Sequence, residues 1–234
     1  MAKRILIKLS GESLSDNAHL NLSPAKVHEQ AKELCSLVSE TGHQIAVVIG
    51  GGNIWRGARG IGKEIERLAS DQIGMMATVM NAIALKSAIE TCGLTCLHLC
   101  AFEIPGVAPL FEPHLAIEAF EKGQIVIFSA GTGLPFFSTD TASALRSAQI
   151  GAQEILKATQ VDGIYDKDPK IYPEAKKLSK VSYKQALEQK LEVMDAMAFE
   201  ICAKSGINIR VFKNEPGCFL KACQDMSFGS IVEA

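Results

Sequence analysis

Ile45-Ala46-Val47-Val48-Ile49-Gly50-Gly51-Gly52-Asn53 is a run of five apolar residues, mostly β-branched, that stops at three successive glycines. A short apolar run without polar alternation reads as a strand covered on both faces, its place in a parallel sheet. Glycine directly after such a strand leaves main-chain N–H groups open to close approach by an anion. Two other runs have the same form: residues 5–9 lead into Ser10-Gly11-Glu12, and residues 125–130 lead into Gly131-Thr132-Gly133. One glycine-ended strand is ordinary turn punctuation, but three on one sheet edge predict a binding edge.

Outward from these strands, further apolar runs at 95–101, 155–158 and 209–212 alternate with segments of helical period. Ser23-Pro24 supplies an N-cap and a proline for the first helix, Val27, Ala31, Leu34 and Val38 form its apolar stripe, and Gly42 closes it. Further helices are expected over 71–91, 114–122, 139–149, 182–189 and 194–204. The fold class is therefore α/β, a three-layer sandwich with a largely parallel central sheet and helices on both faces. The stretch Val161-Asp162-Gly163-Ile164-Tyr165-Asp166-Lys167-Asp168-Pro169 fits neither period and reads as loop. One domain over 1–234 is expected, with an N-terminal lobe to about 150 and a C-terminal lobe over 151–234.

Composition removes several classes. Of 234 residues, 47% are hydrophobic and 21% charged, near globular averages, which argues against disorder. The longest apolar window, residues 75–89, is broken by Asn81 and Lys86, so no membrane partner is expected. The run before Lys8 is too short for a signal-peptide core, and the chain is expected to stay in the cytoplasm. Seven cysteines, an odd number, read as buried reduced thiols, and Met75, Met76, Val79 and Met80 read as core. A net charge of −2 without a basic stripe argues against nucleic acid as a partner.

The chemistry-bearing residues cluster after the strands. Lys157 sits at the carboxyl end of a buried run, where a lysine is costly unless it faces a site or a carboxylate. With Lys8 and Arg56 it places three cations around a glycine-lined edge, an arrangement for polyphosphate. Neither glycine loop completes G-x-G-x-x-G. The segment Gly57-Ala58-Arg59-Gly60-Ile61-Gly62-Lys63-Glu64 misses a P-loop because Glu64 replaces the Ser or Thr hydroxyl.

The ordered motifs Lys8-Leu9-Ser10-Gly11-Glu12, Gly50-Gly51-Gly52-Asn53 with Arg56, Asp71 leading into Gly74-Met75-Met76-Ala77-Thr78-Val79-Met80-Asn81, Gly131-Thr132-Gly133 with Pro135-Phe136-Phe137 and Thr139-Asp140, and Lys157-Ala158-Thr159 with Val161-Asp162-Gly163 resemble those of one family. They are similar to the bacterial uridylate (UMP) kinases of the amino acid kinase superfamily, over essentially the whole chain. The resemblance implies ATP and UMP as substrates, magnesium held mainly by the nucleotide phosphates rather than by protein ligands, and a cytoplasmic homohexamer that makes UDP for pyrimidine synthesis. It implies an ATP site of Lys8, Leu9, Ser10, Gly11, Gly52, Arg56, Thr159, Tyr165 and Asp168. It implies a UMP site of Gly51, Asp71, Thr132, Gly133, Leu134, Pro135, Phe136, Phe137, Ser138 and Thr139.

Two departures stand out. Leu134 replaces an asparagine usual in the family, and residues 15–22 carry no glycine where the family has a Gly-rich segment linked to activation by GTP. Weak activation by GTP is the expectation. Lys8, Lys157, Asp140 and Arg56 are the expected catalytic set, with Asp140 either organising the lysines or contacting magnesium through water rather than accepting a proton. Asp71, placed at a helix start, is either an N-cap or an acceptor of ribose hydroxyls. A sister kinase acting on a small carboxylate and a non-catalytic nucleotide or oxyanion binder are the alternatives.

Overall fold

The computed structural model describes residues 2–16, 21–56, 64–169, 171–189, 191 and 193–233. In chain order the elements are β1 (Arg4–Leu9), α1 (Pro24–Thr41), β2 (Gln44–Ile49), α2 (Arg67–Thr91), β3 (Cys96–Cys100), α3 (Pro113–Glu121), β4 (Ile125–Ser129), α4 (Thr139–Ile150) and β5 (Glu154–Thr159). They continue as β6 (Ile164–Tyr165), β7 (Lys177–Leu178), β8 (Lys180–Ser182), α5 (Tyr183–Glu188), α6 (Ala196–Ser205), β9 (Asn208–Lys213), α7 (Cys218–Gln224) and β10 (Ser230–Glu233). An eight-stranded sheet runs β3-β4-β2-β1-β5-β9-β10-β8, parallel except where β10 meets β9.

Alternation along the strands feeds two cores. Ile5, Ile7, Ile45, Val47 and Leu156 pack against α1, α2 and α7, while Leu6, Ala46, Val48 and Ile155 pack under α3, α4 and α6. The first helix forms as its caps predict: Ser23 accepts the Lys26 N–H, and Gly42 closes the helix at φ 65°.

Several expectations change. The helix expected at 71–91 starts at Arg67, so Asp71 lies a full turn inside α2 and is no N-cap. Within that helix Val79 is buried, but Met76 and Met80 are 46% and 52% exposed and do not belong to the core. A period of 3.6 marks an apolar stripe without saying what covers it. α2 is also longer than the broken apolar window suggests: by length and its mean hydropathy of 1.2 alone it could cross a membrane. Its residues Ala82, Leu85 and Ile89 pack in the core with α1 and the sheet, the arrangement of a core helix. The expected loop 161–169 contains β6, which pairs antiparallel with β7. All seven cysteines are free, five of them buried. The near-P-loop at 57–63 and half of the segment 15–22, namely 17–20, lie outside the described residues.

Candidate active site

The period of two that buries the sheet also aims its lysines. Lys8 and Lys157 follow Leu6 and Ile155 onto the face that α4 covers, and they are register partners across β1 and β5. Asp140, in the first turn of α4, lies against both. Lys157 Nζ donates to Asp140 Oδ2 at 2.8 Å and also to the Val193 carbonyl, while Lys8 Nζ stands 3.3 Å from Oδ1. All three side chains are less than one-fifth exposed.

Burial pushes the Asp140 carboxyl up, but the charges of Lys8 and Lys157 outweigh it and hold it below 3.8. Burial pulls the Lys157 ammonium down, and despite the opposing pull of Asp140 it stays below 10.5. Two cations share one carboxylate at a helix N-terminus, where the backbone adds its own positive end. This is a site short of negative charge.

The start of α4 is tied to the C-terminal part of the chain. Ser138 caps it by accepting the N–H groups of Asp140 and Thr141, and its own hydroxyl donates to Asp195. Thr141 Oγ1 donates to the same carboxylate at 2.8 Å, and Asp195 in turn caps α6 through the Ala198 N–H.

Two clefts flank this centre. The first, of about 300 Å³, is lined by Gly51, Gly52, Asp71, Thr132, Leu134, Phe137, Ser138 and Thr139 from the expected sets. It also takes Trp55, Ser70, Gly74, Met75, Thr78, Ala130 and Gly131. The second, of about 590 Å³, is lined by Lys157, Thr159, Tyr165 and Asp168, with Gln189, Leu191 and Val193 on its far wall.

The glycine loops are fitted to one another. A Cβ on Gly51 would lie 2.8 Å from the Gly74 carbonyl, so α2 can pass close to this loop only beside glycine. A Cβ on Gly11 would lie 2.7 Å from the Gly50 carbonyl, which brings the first two loops together. Behind them, buried Asn81 donates to the Gly50 carbonyl and pairs with Asn53.

Not every expected residue converges. Gly52, expected with ATP, lines the first cleft. Leu9 is buried in the core, Ser10 caps the turn that follows β1, and neither they nor Gly11 line a cleft. Arg56 pairs with Glu12 at 2.8 Å and bonds the Gly52 carbonyl, outside both linings. Gly133, Pro135 and Phe136 also stay outside the first lining. Phe136 adopts φ 70° and donates its main-chain N–H to Asp71 Oδ2 at 2.8 Å. Arg67 Nε holds both oxygens of that carboxylate at 2.9 Å, and its guanidinium lies over the Phe136 ring. The sequence reading missed Trp55, Thr78 and Asp195. Only Asp195 left a sign, as an aspartate opening a helical segment.

The family model that matches this chain is that of the amino acid kinase family, over residues 3–213. A uridylate kinase of Xanthomonas oryzae pv. oryzae is 42% identical over 232 residues, 99% of this chain and 96% of that protein. The solved UMP kinase of Bacillus anthracis superposes with a TM-score of 0.93 at 32% identity, covering 99% of this chain and 96% of that one. That of Ureaplasma parvum superposes at 0.92 with 34% identity, over 100% of both chains. On these matches the chain belongs to the amino acid kinase family, among its uridylate kinases.

Proposed function

We propose that the chain is a UMP kinase, transferring the γ-phosphoryl group of ATP reversibly to UMP to give ADP and UDP for pyrimidine nucleotide synthesis. The observation that carries this reading is the Lys8–Asp140–Lys157 cluster between two clefts, one of them walled by Asp71, Trp55 and a glycine loop. The N-terminal lobe, to about 150, supplies the acceptor cleft. The C-terminal lobe supplies the donor cleft, with Thr159, Tyr165 and Asp168 toward the nucleoside and Lys157 toward the phosphates, and Lys8 reaches in from β1 beside it.

The nucleophile needs no base, because a phosphomonoester with a second pKa of about 6 is already dianionic near neutral pH. What opposes reaction is repulsion between two polyanions. Lys8 and Lys157 offset it from opposite sides, and Asp140 keeps both ammonium groups aimed while taking no proton. Arg56 exchanges Glu12 for phosphate when substrate enters.

Magnesium fits this donor set as a companion of the nucleotide. Among the described residues no group of three carboxylate, His or Cys side chains converges. Asp140 Oδ1 is buried with only the Lys8 ammonium beside it, at 3.3 Å, and would meet the ion through water. When bound, the ion would supply neutralisation of charge on the nucleotide phosphates.

A cytoplasmic homohexamer completes the proposal. Leu68, Met76, Met80 and Ile83 leave an exposed apolar stripe along α2, which supports self-association. An ADP-release assay with UMP, CMP, dUMP and aspartate as acceptors tests the reaction. UMP should be strongly preferred, turnover of aspartate would make this a carboxylate kinase, and no release with any acceptor would make it a binding protein.

A further inference from the structure

Arg146 is a buried cation that this chemistry leaves unused. It lies on α4 with 5% of its surface exposed, and among the described residues no carboxylate pairs with it. Arg210, equally buried, has Glu154 at 2.8 Å. The Arg146 guanidinium instead lies 4.1 Å over the centre of the Phe111 ring and donates to Gln149 Oε1 at 2.8 Å and to the Gly131 carbonyl at 3.2 Å. Its Nε is buried without any partner among the described residues. Burial pulls its pKa down to about 10, so it stays charged at neutral pH. Such an arrangement is expensive, and a methionine would fill the space without the penalty.

The Gly131 carbonyl explains the expense. Gly131 and Thr132 line the first cleft, whereas Arg146 stands behind that lining. The peptide joining them is trans and planar, so its N–H points opposite to its C=O. With the carbonyl held toward Arg146, the Thr132 N–H is turned toward the cleft. It has no hydrogen-bond partner among the described residues. A cation on the carbonyl also polarises the amide and strengthens its N–H as a donor. The preceding turn is fixed as well: Ala130 adopts φ 59°, and its N–H is bound by Thr78 Oγ1 at 2.7 Å.

The position of this donor selects its target. Thr139 adjoins Asp140 and its two lysines, so the reacting phosphate of UMP belongs at that end of the cleft and the base at the Thr132 end. We propose that Arg146 is a positioning residue for acceptor recognition, holding the Gly131 carbonyl so that the Thr132 N–H meets a carbonyl oxygen of the pyrimidine base. This rests on the reading of the acceptor as UMP.

The test compares the full wild-type chain with Arg146→Met. The variant should raise KM for UMP about tenfold, the usual worth of one buried hydrogen bond, with kcat changed less than about threefold. KM for ATP, and the inhibition constant of ribose 5-phosphate, which has the sugar and phosphate but no base, should stay within about twofold. An unchanged KM for UMP overturns the proposal, and so does an equal loss for UMP and ribose 5-phosphate. Failure of the wild type itself to phosphorylate UMP would instead overturn the reading underneath. Should Arg146→Met not fold, the wild-type Thr132 amide proton, followed by NMR, should move downfield on adding UMP and not on adding ribose 5-phosphate. No movement with UMP, or equal movement with both, overturns the proposal.

Discussion

Lys8 and Lys157 face each other across adjacent parallel strands and hold different oxygens of one carboxylate, that of Asp140. The pairing spaces two positive charges at a separation set by the sheet, with one negative charge to keep them there. A preorganised donor of this kind is typically worth about 3 to 4 kcal/mol at a transition state. Lys157→Ala is therefore expected to lower kcat by at least about a hundredfold with a normal far-UV spectrum. Near wild-type turnover in a folded variant would make Lys157 structural.

The same burial sets an alkaline limit. A buried ammonium loses its proton more readily than a free lysine, and Lys157 is held below 10.5, so kcat should fall on the alkaline side before a free lysine would titrate. The unfolded chain binds that proton more tightly, so the penalty on folding is present at neutral pH and is relieved as pH rises through the lowered value. Lys157→Arg should abolish this limb. A pH–rate profile of the two proteins decides it, and an identical limb in both would assign it elsewhere.

Asp71 carries the latch of the first cleft. Its carboxylate accepts the Phe136 N–H and the Arg67 Nε, which fixes it at the wall where a sugar would lie. Asp71→Asn keeps one acceptor oxygen and should raise KM for UMP roughly tenfold, with KM for ATP changed less than about twofold. Equal rises in both would remove Asp71 from the acceptor site.

Asp195 serves two helix starts at once, capping α6 and accepting the Ser138 and Thr141 hydroxyls that begin α4. Loss of a cap costs about 0.5 to 2 kcal/mol, and about 1 kcal/mol moves Tm by about 2 to 4 °C in a chain of this size. Asp195→Ala should lower Tm by several degrees. It should also shift the alkaline limb further down, because Asp195 is one of the charges supporting protonated Lys157. A lowered Tm with an unmoved limb would confine its role to structure.

The central strands were legible because burial on both faces writes an uninterrupted apolar run. Lys157 was legible for the converse reason: a charge closing such a run needs a partner. That the partner is Asp140 came from the family resemblance and not from any local pattern, since strand order is a tertiary fact and nothing local to residues 5–9 says that 154–159 lies beside them. Short β8 and β10 at one end of the sheet, and α7 of seven residues, left too few periods to register. Asn81 and Thr78 looked like ordinary polar interruptions of a helix, because their partners, the Gly50 carbonyl and the Ala130 N–H, are 31 and 52 positions away. Arg146 was invisible for the same reason.

The position of β1 in the sheet constrains how the chain can be divided. Its neighbours are β2 from the first half and β5 from the second, so cutting near residue 150 would strip one side of the strand that carries Lys8. The N-terminal fragment would then present an apolar, unpaired edge, a template for pairing with other copies of itself. Expressed alone, that fragment should aggregate. Expressed beside 151–234, it has a native strand to capture instead, which makes this junction a place to build a complementing split enzyme whose activity reports that its two pieces have met.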